Sequence, residues 1–120
     1  MSDLVAFLRA RLDEDETMAR KAASRQPRSA AWTHEPDGKV RAGDGTPVAK
    51  HAWADEGAHI TRHDPARVLA EVDARRRILR WHLDEECCSV CLDDVEGCPL
   101  FRALALPYAD HPDYREEWRP

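Results

Sequence analysis

No apolar run in the chain approaches the roughly 18 residues a membrane-spanning helix needs, which excludes a bilayer as a partner by this route. There is no basic surplus either. Lys and Arg together number 18 against 23 Asp and Glu, a net charge of −5. That balance argues against a dedicated nucleic-acid binder, which carries a basic stripe, and favours solubility without naming a partner. Met1 to Arg11 lacks a basic stretch followed by an apolar one, so no secretory signal is expected and the expected compartment is the cytoplasm. No internal repeat or low-complexity segment is present. Cysteine is confined to one short stretch: all four lie between residues 87 and 98.

At 120 residues the chain has the length of one domain, 1–120. Its core is thin, because 34% of its residues are charged and the mean hydropathy is −0.68. A domain of this size buries about two-thirds of its unfolded surface, so a metal or a partner adds useful stability.

The patterning predicts an α+β fold with two long helices, a small antiparallel sheet, a zinc knuckle, a short helix and an extended C-terminal tail. Within 1–24, Leu4, Leu8 and Leu12 repeat at helical spacing, Ser2 or Asp3 can cap the start, and Glu16–Arg20 is a favourable pair. Within 31–54, the turn signals Asp37-Gly38 and Asp44-Gly45 separate short runs at 31–33, 39–41 and 48–50. Trp32, Val40, Val48 and Trp53 are the expected inner face. Residues 59–63 read as a loop. Asp64-Pro65 opens a second helix, 64–84, with Val68, Leu69, Val72, Leu79 and Leu83 on one face and His82 at its edge in the last turn. Residues 99–120 form the short helix and tail: Cys98-Pro99 starts the helix, Pro107 stops it, and Tyr108, Tyr114 and Trp118 strap the tail down.

The knuckle, 82–98, carries the chemistry. In a reducing compartment, clustered cysteines read as metal ligands or redox groups before disulfides. Zinc needs four borderline or soft donors in a tetrahedron. Cys88-x-x-Cys91 supplies two from one turn, and Cys98 supplies a third at a helix start that favours its thiolate. His82 is the expected fourth, with Cys87 as competitor, because adjacent cysteines diverge too far to share one ion. The expected cofactor is a structural Zn2+. A four-thiolate iron–sulfur cluster is the alternative, with unusual spacing. A closed four-ligand site does not catalyse, since catalytic zinc keeps an open position.

Enzyme motifs fail on inspection. A zinc deaminase needs His-x-Glu and a later Pro-Cys-x-x-Cys, but His82 is followed by Leu83-Asp84 and Cys88 is preceded by Cys87. His59-Ile-Thr-Arg-His63 has zincin spacing without the Glu. His59, His63 and Asp64 could in principle supply a general base, but no nucleophile or Gly-rich loop accompanies them. Arg75, Arg76, Arg77 and Arg80 could touch phosphates, yet they have Glu71, Asp73, Asp84 and the acidic first helix as partners. The four tryptophans read as core anchors.

The stretches 3–16, 59–69 and 105–114 (DLVAFLRARLDEDE, HITRHDPARVL and ALPYADHPDY) resemble a family of small uncharacterised actinobacterial and actinophage proteins, a domain of unknown function. The resemblance runs over nearly the whole chain. It implies a bacterial or phage origin and transfers no catalytic residue. The reading that follows is a zinc-stabilised, non-enzymatic interaction or regulatory module with a protein partner. The alternatives are a nucleic-acid-associated regulator using the arginine-rich helix, and an enzyme centred on His59, His63 and Asp64. Oligomeric state is not legible.

Overall fold

A computed structural model describes residues 2–24, 30–85 and 94–120. The fold is α+β. Helix α1 spans Asp3–Ala23, strands β1 to β3 span Trp32–His34, Val40–Ala42 and Pro47–Ala49, and helices α2, α3 and α4 span Ala54–Arg62, Pro65–Glu85 and Pro99–Ala105. The chain packs as two compact units, Met1–Glu14 with Asp73–Pro120, and Asp15–Val72. The division falls inside α1 and inside α3.

In the continuous unit, 15–72, the sheet order is β1-β2-β3 and both pairings are antiparallel. Trp32 pairs with Ala42 and His34 with Val40. Asp37-Gly38 makes the first turn, with Gly38 at φ 85° and Asp37 accepting the Lys39 N–H at 3.0 Å. Gly45, at φ 89°, makes the second. Both positions need the left-handed backbone that glycine adopts without strain. Alternation buries Val40 and Ala42 on one face. Val48 and Trp53, expected on that face, are not on it. Val48 sits on β3, an edge strand that begins with Pro47, and is 43% exposed. Trp53 precedes α2 as its N-cap and is 81% exposed.

Residues 59–63 are not a loop. Helix α2 occupies Ala54–Arg62 with Asp55 and Glu56 in its first turn, and the His63 N–H still reaches His59 O at 3.2 Å. Gly57 is buried against the His34 ring, whose Nε2 lies 3.2 Å from Ala52 O. Asp64 then caps α3: its Oδ1 accepts the Arg67 N–H at 2.9 Å and its Oδ2 the Trp32 N–H at 3.0 Å.

The other unit is discontinuous. In α1, Leu4, Val5, Phe7, Leu8 and Leu12 are buried, and in α3 Leu79 and His82 are. Phe101 and Ala105 of α4 are buried completely. The tail is not simply extended. Two 3-10 turns, Leu106–Tyr108 and Glu116–Trp118, fold its aromatics around Phe7, whose ring centroid lies 5.1 Å from Trp118, 5.9 Å from Tyr114 and 6.3 Å from Tyr108. The edge-on contacts of Tyr108 and Tyr114 with Phe7 add to the area they bury.

Candidate functional site

Two helix ends bring Cys98 and His82 together. Pro99 sets the first turn of α4, which leaves Cys98 as N-cap in extended backbone with no side-chain cap of its own. His82 stands in the last turn of α3. Cys98 Sγ lies 3.4 Å from His82 Nε2, and both residues are buried. The imidazole also packs on Phe101, 4.4 Å between centroids. A thiol–imidazole hydrogen bond spans this distance. So does a shared zinc: Zn–S of about 2.3 Å and Zn–N of about 2.0 Å at a tetrahedral angle separate the two donors by about 3.5 Å. Cys88 and Cys91, the other two expected ligands, and their competitor Cys87 lie outside the described residues. Among the described residues no group of three or more His, Cys, Asp or Glu is arranged to hold a metal.

Glu96, two residues before Cys98, was invisible as a structural centre from sequence. Its Oε1 accepts the Ser2 hydroxyl and the Leu4 N–H at 3.0 Å, its Oε2 accepts the Trp118 indole N–H at 2.9 Å, and its carbonyl accepts Arg102 Nε at 2.9 Å. Burial pushes its carboxyl pKa up, but the bonds from Ser2, Leu4, Trp118 and Asp3 outweigh that and hold it below the ordinary value. The same carboxylate sits at the positive end of the α1 dipole.

A groove opens in the 15–72 unit. It has a volume of about 840 Å³ and is lined by residues 34–38 and 51–54. Trp53, itself exposed, is part of that lining. The groove's carboxylates already have partners: Glu35 accepts from Thr33 at 3.2 Å, and Asp37 from Arg41 at 3.3 Å. The Lys39 backbone N–H holds the Asp37 carboxyl below its ordinary value, burial pushes back, and Arg41 reinforces the lowering. Among the described residues no Ser, Cys, Thr or Lys lines the groove.

His59 and His63 stand apart from that lining. They lie one helical turn apart with ring centroids 4.6 Å apart. Asp64, the third member of that sequence cluster, is committed to backbone N–H groups. Two arginines of the α3 cluster are paired: Arg76 with Asp13 of α1 at 2.7 Å and Arg77 with Asp73 at 2.8 Å. Trp53 and Trp81, at 81% and 59% exposed, are not the core anchors the sequence suggested, whereas Trp118, at 2%, is one. In an amphipathic helix an outward-facing Trp leaves no signature distinct from an inward-facing one. No described helix is long and apolar enough to cross a membrane.

Comparison with known families matches residues 1–120 to a "Family of unknown function (DUF6221)". The chain belongs to the DUF6221 family. No curated protein and no solved structure matches it. For this DUF6221 chain, any assignment of chemistry therefore rests on its own residues.

Proposed function

We propose that the chain is a non-enzymatic interaction module whose 82–98 segment is closed by one structural zinc held by His82, Cys88, Cys91 and Cys98. One observation carries the reading: a thiol and an imidazole sixteen residues apart are buried together at 3.4 Å, one from the end of α3 and one from the start of α4. That separation suits two donors of one tetrahedral ion, and Cys88-x-x-Cys91 supplies the other pair from the intervening chain. Closing such a site contributes about 10 kcal/mol or more of apparent folding free energy at neutral pH.

Support for interaction over catalysis comes from the groove. Its carboxylates are engaged by neighbours, and it exposes Trp53, a residue type enriched where proteins meet. The pairing of Arg76 and Arg77 with Asp13 and Asp73 weighs against a phosphate-binding role for α3.

Metal analysis of the natively purified protein tests the zinc. One zinc per chain is expected, lost in Cys88→Ser, Cys91→Ser, Cys98→Ser and His82→Ala together with much of the thermal stability. A metal-free protein that is fully folded would refute the site. Cys87→Ser is expected to keep the metal, and its loss there would move the fourth ligand from His82 to Cys87.

A further inference from the structure

We propose that His59 and His63 form a second, independent metal site: a two-imidazole chelate at the C-terminal end of α2, from His59 in its last turn and His63 at its C-cap, for a borderline divalent transition cation of the zinc, nickel or copper class. This goes beyond the cysteine site and does not depend on it.

The argument begins with the helix. Residues four apart lie on one side of an α-helix, so α2 places both imidazoles over the same strip of surface. The His63 N–H bonded to His59 O at 3.2 Å shows that the helical turn extends far enough to do this. The rings are in contact, with centroids 4.6 Å apart and planes tilted by 46°. Both side chains are exposed, so solvent and ions reach them. An imidazole nitrogen lies just over an ångström from its ring centre. Small rotations within this arrangement therefore bring one nitrogen of each ring to a common point at ordinary metal–nitrogen distances of about 2.0 Å.

Electrostatics add to the geometry. The last turn of a helix carries the negative end of its dipole, where a cation is favoured. Asp55 and Glu56, in the first turn of the same helix, lie one turn before His59 and are exposed, and they offset the nearby Arg62. Two neutral imidazoles select by ligand type: they suit zinc, nickel and copper, and they disfavour magnesium and calcium, which take oxygen. Half of a tetrahedral shell then falls to water. The site lacks the Glu that follows the first His of a zincin, so the proposal is one of binding.

Linking two ligands on one rigid turn makes the second binding step intramolecular, which raises affinity over a single imidazole by about a hundredfold or more. The test uses the full chain and Zn2+ as the probe. Imidazole nitrogen and carbon signals of all six histidines are followed by NMR as zinc is added in steps to protein already holding one equivalent. The His59 and His63 signals are expected to move together, with magnesium and calcium producing no change. The His63 amide should also exchange more slowly once the turn is clamped. His59→Ala and His63→Ala should each weaken the step by about a hundredfold and leave the signals of His82 unmoved. If the two histidines respond independently, or each keeps its affinity when the other is removed, there is no chelate and the inference fails. A protein that binds zinc only through His59 and His63 would sustain this site and remove the cysteine one. Binding only at His82 would do the reverse.

Discussion

A methyl group on Gly57 would overlap the His34 imidazole, which is itself held by Ala52 O. Helix propensity alone would make Gly57→Ala stabilising by up to about 1 kcal/mol. Overpacking a closed contact costs about 1–3 kcal/mol, so the substitution is expected to destabilise the protein by roughly 1–2 kcal/mol, read as a lower urea midpoint. Adding His34→Ala to Gly57→Ala should recover much of that loss, and strictly additive effects would show that the ring is not what the methyl meets. The same residue explains why α2 was hard to read. A glycine at its fourth position followed by Ile60-Thr61 looks like broken helix and loop, because the reason for the glycine is a ring on β1, more than twenty residues earlier. Trp53 fails for a related reason. Its neighbours in sequence do not say which way an indole at a helix start will point.

At the scale of elements, three helix starts are marked by their sequence neighbours, and one of them, that of α1, is also closed from afar. Ser2 before α1, Asp64-Pro65 before α3 and Cys98-Pro99 before α4 were legible because capping and a proline first turn act within three residues. Glu96 was not, since it serves α1 from 92 residues away. Glu96→Gln keeps one acceptor for Ser2 and Leu4 but turns an amide donor toward the Trp118 N–H. A loss of about 1.5–3 kcal/mol is expected, the range for hydrogen bonds to a charged group, read by urea unfolding at neutral pH. The sign of the pH effect follows from the lowered carboxyl. A group whose native pKa lies below its unfolded value contributes stability above the unfolded value and loses it as pH falls through the native one. The stability difference between the wild type and Glu96→Gln should therefore shrink as the pH is lowered through and below the ordinary carboxylate range. A difference that stays constant down to pH about 3 would mean that charge plays no part.

Over the whole molecule, the two units differ in how far apart in sequence their contacts lie. The unit 15–72 is built from neighbouring hairpins and helices, and its sheet and turns could be anticipated from Asp37-Gly38 and Asp44-Gly45 to within one residue. The other unit needs residues 1–14 to meet residues 73–120, so its core was legible as separate apolar stripes but not as the Phe7 aromatic cluster. Its candidate metal site was legible as a spacing, and the structure adds the meeting of His82 with Cys98. Trp118→Ala removes the side chain that closes both the cluster and the Glu96 network, at an expected cost of about 3–5 kcal/mol. Hydrogen exchange should show it as lost protection in the first turns of α1 and in α4, with β2 amides retaining theirs. Equal losses in both regions would mean that the two units open as one.

Arg115 and Asp3 meet at 2.9 Å, and Glu96 holds Ser2 and Trp118 on one carboxylate. Residues 2–3 and residues 96–118 are therefore held side by side by contacts that owe nothing to their distance along the gene. The Asp44–Gly45 turn, where a side chain on Gly45 would meet nothing within 4 Å, is a natural place to insert residues without touching those contacts.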